Sequence, residues 1–259
     1  MIRFIVCDVE GTLQHDGENR VSEELLSQIP QLKEKGILFA VVSGKSYDEL
    51  LEIFSPVKSD MLFITNNGGV VIFDDQVVFK SVIERRNALD IIKEAENTIG
   101  CNALVSGEKT TYYLAKNYDF AKYLKEVKKY HSKEVEEIYK IREDVTKISV
   151  HQNGGVSEAV FTKFAKKWGQ RTEITVTDKE WIDFAAPFVN RGTAIENVQR
   201  LYEISKEDTM TFGNSYVDLE MFKYSYFSYA MQNSDTDIRK AAKHIASSVE
   251  TILEDVIRM

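Results

Sequence analysis

The sequence has few residues that could crosslink the chain or bind a transition metal. Only Cys7 and Cys101 occur among the 259 residues, and they lie far apart. Two distant cysteines form neither a disulfide framework nor a zinc cluster, which predicts a protein of a reducing compartment. Histidine is equally sparse. The four histidines are not at metal-binding spacing, and we expect no catalytic role for them: His15, His131, His151 and His244.

Long hydrophobic runs are also missing. The longest clean apolar run, residues 37–42, is too short to span a bilayer. The first eight residues, MIRFIVCD, lack the long apolar stretch and the small-residue cleavage site of a signal peptide. We therefore expect a cytoplasmic protein without a membrane partner.

A basic excess is absent as well. Lysine and arginine total 33 against 41 aspartates and glutamates, a net charge of −8, which argues against a nucleic-acid partner. The charge is uneven, because residues 84–183 carry a net +1 and the remainder carries −9. This pattern suggests a central insertion within an acidic core, although an acidic surface could equally serve solubility alone.

The sequence does contain a regular alternation of strand and helix patterns near its start. Short apolar runs rich in β-branched residues predict strands, and apolar spacing with caps predicts helices. This alternation with short links is typical of a parallel α/β sheet. A loop at residues 11–17 separates the first two elements. The predicted elements are strands at 2–7, 37–42 and 61–64, helices at 22–36 and 46–54, and a hairpin of strands 70–73 and 76–79.

The middle of the chain loses this regularity. Its mixed pattern predicts a separate α+β domain at 81–186, and Pro187 marks the return to the α/β pattern. A length of 259 residues allows one to two domains, so we predict a discontinuous core of residues 1–80 and 187–259. The remaining predicted helices are at 88–99, 120–127, 156–168, 192–201, near 218–222 and from 235, and the remaining strands are at 147–151, 174–177, 181–185, 209–212 and 227–231.

Polar residues follow four of the predicted core strands. In a parallel α/β sheet the carboxyl ends of the strands meet at one edge, where ligands bind, so we expect these residues to form one site. Each also has a plainer interpretation: Ser43 as a helix cap, Asp218 as an acid at a helix N-terminus, and the asparagines as turn residues. The candidates are Asp8, Glu10, Ser43, Gly44, Asn66, Asn67, Gly213, Asn214 and Asp218.

These segments resemble the motifs of the haloacid dehalogenase superfamily. Residues 4–13, FIVCDVEGTL, are similar to its first motif, Asp-x-Asp-Gly-Thr, and residues 42–45, VSGK, to its second. Residues 190–194, NRGTA, stand where Lys-Gly-x-Ala is usual, and residues 212–218, FGNSYVD, where Gly-Asp-x-x-Asn-Asp is usual. Residues 230–234, AMQNS, resemble a stretch of the Cof-type sugar-phosphatase branch. The resemblance implies a Rossmann-like parallel-sheet core with an inserted α+β cap domain.

The resemblance also implies Mg²⁺-dependent hydrolysis of phosphate monoesters through an aspartyl-phosphate. Asp8 would be the nucleophile and Glu10 the acid and base. Phosphate would be bound by Ser43, Gly44 and Arg191.

Mg²⁺ prefers hard oxygen ligands. The resemblance implies that they are a carboxylate oxygen of Asp8, the backbone carbonyl of Glu10 and the side chain of Asn214. Asp218 would hold metal-bound waters or the cation of the third motif. Asn66 and Asn67 are candidates for substrate contact, and the cap would choose the substrate. The expected partner is a small phosphorylated metabolite, with sugar phosphates as one candidate class.

The sequence departs from the usual motifs at four positions. Glu10 replaces an aspartate, which shifts the carboxyl group by roughly 1 Å, and such a shift can cost on the order of 10²-fold in rate. Asn214 replaces an aspartate and removes one charge from the metal site, Val217 replaces an asparagine, and Arg191 replaces a lysine. Two hypotheses follow. One is a phosphatase that could be slow, and the other is a catalytically impaired protein with a ligand-binding or regulatory role.

Overall fold

The structure is a computed structural model that describes residues 1–14, 20–128 and 130–259. His15, Asp16 and Gly17 of the loop predicted at 11–17 lie outside the described residues. Contacts divide the chain into two units. The first unit comprises Met1–Lys45, Leu50–Phe79 and Asn190–Met259, and the second comprises Ser46–Glu49 and Lys80–Val189.

Strands make up one sheet in each unit. In chain order the strands of the described residues are β1 (Phe4–Asp8), β2 (Leu38–Val42), β3 (Met61–Thr65), β4 (Val70–Phe73), β5 (Gln76–Lys80), β6 (Cys101–Ser106), β7 (Thr111–Leu114), β8 (Ser132–Val135), β9 (Lys147–Gln152), β10 (Glu173–Asp178), β11 (Trp181–Ala185), β12 (Thr209–Gly213), β13 (Phe227–Met231) and β14 (His244–Ala246).

Helices connect most of these strands. The α-helices of the described residues are α1 (Glu23–Glu34), α2 (Tyr47–Phe54), α3 (Arg85–Glu96), α4 (Tyr118–Lys122), α5 (Glu158–Trp168), α6 (Arg191–Tyr202), α7 (Leu219–Lys223), α8 (Thr236–Ala241) and α9 (Val249–Arg258). Among the described residues, no helix combines the length and the apolar character that a membrane span requires.

The first unit contains a largely parallel sheet, as predicted. Its order in the described residues is β14-β13-β12-β1-β2-β3-β4-β5. The strands from β14 to β3 pair in parallel, and β4 pairs with β3 in the antiparallel sense. Every residue of β1 and β3 is buried, which is typical of parallel strands that are covered on both faces. The carboxyl ends of β1, β2, β3 and β12 therefore lie side by side at one edge.

Caps determine where two helices of this unit begin. The Ser22 hydroxyl accepts a hydrogen bond from the Leu25 amide at the start of α1. At α6, Asn190 and Thr193 form a reciprocal capping box. This box places Arg191 in the first turn of α6, so the direction of its side chain depends on a well-defined helix start.

The second unit is α+β, also as predicted. Its sheet in the described residues has the order β10-β11-β9-β6-β7-β8, and these pairs are antiparallel except for β7 with β8. One hydrophobic core lies between this sheet and helices α3 and α5, and it includes Ile91, Val105, Ile148, Phe164 and Trp168.

Three details of the predicted elements are wrong. Strands β6, β7 and β8 were not predicted. The helix predicted at 120–127 is a short α4 that continues as a π-helix over Tyr123–Lys128. The single helix predicted from Asp235 is divided into α8 and α9 by β14. The short strands β8 and β14 form by pairing with β7 and β13, which their local pattern does not encode.

Candidate active site

The loop that follows β1 brings the first two candidates to the edge of the sheet. Asp8 is the last residue of β1 and only 2% exposed. Gly11 has φ +80°, and a Cβ there would lie 2.0 Å from the Asn214 side-chain nitrogen. The backbone conformation favours glycine at this position, and a Cβ there would displace the end of the Asn214 side chain. The loop after β1 and the loop after β12 are thus in direct contact.

Arg191 joins two buried carboxylates. Its Nη1 atom donates to Oδ1 of Asp8 at 2.5 Å and to Oδ1 of Asp218 at 2.6 Å. All three side chains are almost completely buried. When both carboxylates are ionised, one cation is shared between two anions, and the cluster carries a net negative charge.

Asp218 also organises the loop after β12. Its Oδ2 atom accepts hydrogen bonds from the backbone amide of Asn214 at 3.0 Å and from the amide and hydroxyl of Ser215 at 2.9 Å. Asp218 is therefore more than an acid at a helix N-terminus. The resemblance implies that Asp218 holds either metal-bound waters or the cation of the third motif. The structure contains the second contact, between Asp218 and Arg191.

Asn67 orients the guanidinium of Arg191. Its Oδ1 atom accepts from Nε at 3.1 Å and from Nη2 at 3.0 Å. Asn66 and Asn67 both have positive φ, at 54° and 55°, a conformation that asparagine tolerates better than most residues. Gly44 lies beside the Asn67 amide, which a Cβ at residue 44 would approach to 3.3 Å. The turn chemistry of the two asparagines and a role of Asn67 in the site are thus compatible.

Ser43 and Lys45 both contact Glu10. The Ser43 hydroxyl lies 3.0 Å from each carboxylate oxygen of Glu10, and Lys45 Nζ forms an ion pair with the same carboxylate. Lys45 received no role from the sequence. The signal that could have identified it is its position in the second motif, as a cation two residues after Ser43.

Burial and charge shift the pKa values of these carboxylates in opposite directions. Burial raises the pKa of Asp8 well above its ordinary value and the charge of Asp218 adds to this, while Arg191 opposes both. For Glu10, burial would raise the pKa, but Lys45 and Arg191 together lower it below its ordinary value. A cation next to Asp8 would favour its ionised, nucleophilic form.

The donor set is consistent with a hard cation rather than a transition metal. Within the described residues, no group donates a hydrogen bond to the buried atoms Asp8 Oδ2 and Asn214 Oδ1. A buried oxygen without a donor is costly unless a cation or water satisfies it. No group of three His, Cys, Asp or Glu side chains in the described part of the chain could hold a metal ion. One carboxylate, one amide oxygen and the Glu10 carbonyl suit Mg²⁺, which retains several waters.

Contacts connect the sequence-predicted residues to one another. Arg191 connects Asp8, Asp218 and Asn67, Ser43 contacts Glu10, and Asn214 packs against Gly11 and is held by Asp218. Gly44 lies beside Asn67, whereas Asn66 is buried next to it in the same turn.

Comparison with known proteins gives the family. Residues 5–252 match the haloacid dehalogenase-like hydrolases. The chain is 26% identical over 248 residues to the 5-amino-6-(5-phospho-D-ribitylamino)uracil phosphatase YbjI of Escherichia coli. The alignment covers 95% of this chain and 91% of that protein. A crystal structure from Eubacterium rectale superimposes with a TM-score of 0.88 at 24% identity, covering 98% of this chain and 99% of that one.

A second structural likeness involves a protein described as a sugar phosphatase of subclass IIB of the superfamily. Its TM-score is 0.78 at 17% identity, and it covers 98% of each chain. At these identities the two structural comparisons establish a shared fold. Together with the match over residues 5–252, they confirm the resemblance inferred from the motifs: the chain belongs to the haloacid dehalogenase-like hydrolase family.

Proposed function

We propose that this protein is a phosphoric monoester hydrolase that uses Mg²⁺ to release phosphate from small phosphorylated metabolites. The observation that carries this proposal is the state of Asp8. One oxygen of this buried carboxylate is held by Arg191, and the other receives no hydrogen bond from the described residues. Membership of a hydrolase family and the phosphatase name of the Escherichia coli relative support it, and they do not favour the alternative of a purely binding protein.

Phosphoryl transfer would begin at Asp8. Its carboxylate attacks phosphorus, and the bond from phosphorus to the leaving oxygen breaks. Glu10 gives its proton to that oxygen, which requires the negative charge of the bound phosphate to offset the pKa-lowering effect of Lys45 in the substrate complex. Arg191 offsets the negative charge of the phosphate. The Ser43 hydroxyl and the Gly44 amide donate hydrogen bonds to its oxygens. A phosphate contact by Ser43 requires its hydroxyl to turn away from Glu10, to which it now donates.

Water completes the reaction. Glu10 accepts a proton from a water molecule that attacks the phosphorus of the aspartyl-phosphate, and the bond from phosphorus to Asp8 breaks to release inorganic phosphate. Bound Mg²⁺ would supply charge neutralisation between the nucleophile and the phosphate. Asp8, the Glu10 carbonyl and Asn214 would hold the Mg²⁺. Asp218 would hold metal-bound waters or keep Arg191 in place.

The second unit belongs to the proposal as the cap that chooses the substrate. Sugar phosphates are one candidate class, in line with the description of the subclass IIB relative. A cytoplasmic location and the absence of a nucleic-acid partner are also proposed, and the net charge of −8 supports the latter.

The test is phosphate release from p-nitrophenyl phosphate and a panel of phosphorylated metabolites with several divalent metals. Activity should depend on Mg²⁺ and disappear in Asp8→Asn. A wild-type rate equal to that of Asp8→Asn under every metal would refute the proposal. The double substitution Glu10→Asp, Asn214→Asp then separates the two hypotheses. A gain from no activity would indicate a natural loss of turnover at these positions, and an unchanged or lower rate would indicate functional variants.

A further inference from the structure

Glu10 is the most exposed acidic side chain of the candidate site, and its position must be maintained by its neighbours. Its side chain is 44% exposed, whereas those of Asp8 and Asp218 are 3% and 0% exposed. A glutamate has three side-chain torsions, so an exposed carboxylate at its end samples several positions unless contacts select one. An acid or base must lie within hydrogen-bonding reach of its proton partner.

Two contacts from one short segment converge on this carboxylate. Ser43 donates its hydroxyl to Glu10, and Lys45 Nζ forms an ion pair with the same group. The backbone amide of Lys45 donates to the Ser43 hydroxyl oxygen at 3.0 Å, which directs the hydroxyl proton towards Glu10. Before substrate binds, Lys45 thus acts on Glu10 both through its ammonium group and through Ser43. Once the Ser43 hydroxyl turns to the phosphate, the ammonium group alone holds the carboxylate.

The segment itself is anchored to the sheet. The Ser43 amide donates to the Ile64 carbonyl at 3.0 Å, and the Lys45 carbonyl accepts from the Asn66 amide at 3.1 Å. Lys45 is only 26% exposed, so its side chain is more restricted than that of a surface lysine. An anchored cation fixes a flexible carboxylate more effectively than two mobile side chains fix each other.

We propose that Lys45 is a positioning residue that holds the Glu10 carboxylate in the place where it exchanges protons with the leaving group and with water. The inference rests on the proposed phosphatase function. Lys45 touches neither the nucleophile nor the reacting phosphorus in this role, and its effect on the rate passes through Glu10. A surface ion pair without such a role would leave the reaction unchanged.

The test compares two substrates that differ in their need for a proton. Phenyl phosphate has a poor leaving group that requires protonation, whereas p-nitrophenyl phosphate requires it much less. Lys45→Met should lower kcat for phenyl phosphate by about 10-fold, since small misplacements of a catalytic group are costly. The loss on p-nitrophenyl phosphate should be smaller, KM should change little, and Lys45→Arg, which keeps the cation, should retain most of the rate.

A double-mutant cycle tests whether the effect passes through Glu10. In a Glu10→Gln background, Lys45→Met should change the residual rate by less than about twofold. Lys58→Met is the matched control, because Lys58 pairs with Asp75 away from the candidate residues and is similarly part-exposed. Equal losses in both backgrounds, equal losses on both substrates, or a change in KM alone would overturn the proposal.

A structural readout keeps this inference separate from the proposed function. Absence of wild-type activity on both substrates would refute the phosphatase proposal. Crystal structures of the wild type and Lys45→Met would still decide the role of Lys45. A Glu10 carboxylate that leaves Ser43 in the variant supports positioning, and an unchanged Glu10 conformation overturns it.

Discussion

Asp8 and Asp218 share one nitrogen atom: Nη1 of Arg191 lies 2.5 Å from an oxygen of the first and 2.6 Å from an oxygen of the second. Both carboxylates are buried, so neither charge is screened by solvent. When both are ionised, the single guanidinium leaves this pair with excess negative charge. That excess, next to the Asp8 oxygen that accepts no hydrogen bond from the described residues, is what a divalent cation would neutralise.

Replacement of Arg191 should destabilise the protein strongly. Arg191→Met leaves two buried carboxylates without their cation, and we expect a loss of about 3–5 kcal/mol in the free energy of unfolding. Arg200→Met on the same helix is the control, since the exposed pair of Arg200 with Glu196 contributes less than about 1 kcal/mol. Denaturant unfolding followed by circular dichroism measures both. Equal stability of the two variants would contradict the proposed importance of the buried cluster.

Asn214→Asp should strengthen metal binding. It replaces the buried amide oxygen, to which the described residues donate no hydrogen bond, by a charged ligand. We expect about a 10-fold lower Mg²⁺ concentration for half-maximal thermal stabilisation, because ligand charge tunes the affinity of such sites. Without Mg²⁺ the variant should melt below the wild type, owing to repulsion from Asp8 and Asp218.

Thermal melting across a Mg²⁺ titration gives this result without an activity measurement. Asn197→Asp, a half-buried change on α6 outside the candidate residues, should leave the Mg²⁺ response as it is in the wild type. If Asn214→Asp leaves the titration midpoint where it was, Asn214 is not a ligand.

A methyl group at Gly11 should disturb both the fold and the proposed metal site. Gly11 and Gly36 have similar positive φ, at 80° and 72°, but only Gly11 has a close neighbour, Asn214, whereas nothing lies within 4 Å of a Cβ at Gly36. Gly36→Ala should therefore lower the free energy of unfolding only by the backbone cost of a positive φ, roughly 1–2 kcal/mol. Gly11→Ala should lower the free energy of unfolding by more than this. It should also weaken the Mg²⁺-induced rise in melting temperature. Equal melting temperatures of the two variants would show that the loop shifts without cost.

The second unit should show a stability contribution that depends on pH. Burial would raise the pKa of Glu94, but hydrogen bonds and charges from Lys167 and Lys163 lower it below the ordinary value of 4.5. A lowered folded-state pKa adds stability above the ordinary pKa, and this is lost as pH falls through the folded-state value. Both lysines are about half exposed, so Glu94→Gln should cost no more than about 1 kcal/mol at pH 7.

Melting temperatures of Glu94→Gln and the wild type should therefore converge as the pH is lowered from 4.5. Trp168 provides a local probe, because its indole donates to Glu94 at 3.3 Å. Glu136→Gln is the comparison variant, since Glu136 pairs with Lys140 and its own side chain is 78% exposed. Its effect should be smaller. A constant difference between Glu94→Gln and the wild type at every pH would mean that Glu94 acts through packing rather than charge.

Local sequence patterns were sufficient to predict the strands and helices that have a clear apolar spacing or cap of their own. The apolar runs at β1, β2 and β3 and the capped helix α1 were predicted within a few residues, because buried parallel strands and amphipathic helices have distinctive spacing. Strands β8 and β14 were missed. They read SKEV and HIA, which carry no strand periodicity, and they exist because a neighbouring strand offers its backbone hydrogen bonds.

By itself the sequence determined the α/β core, the family and the edge of the sheet where the candidate residues meet. These follow from apolar periodicity, motif spacing and the rule that parallel strands end at one edge. Only the tertiary structure decided which side chains touch. That Asn67 accepts from Arg191 and that Lys45 pairs with Glu10 depends on side-chain conformations and on loops more than 30 residues apart in the chain. Such contacts are determined by packing and by the charges of neighbouring elements, and no local pattern encodes them.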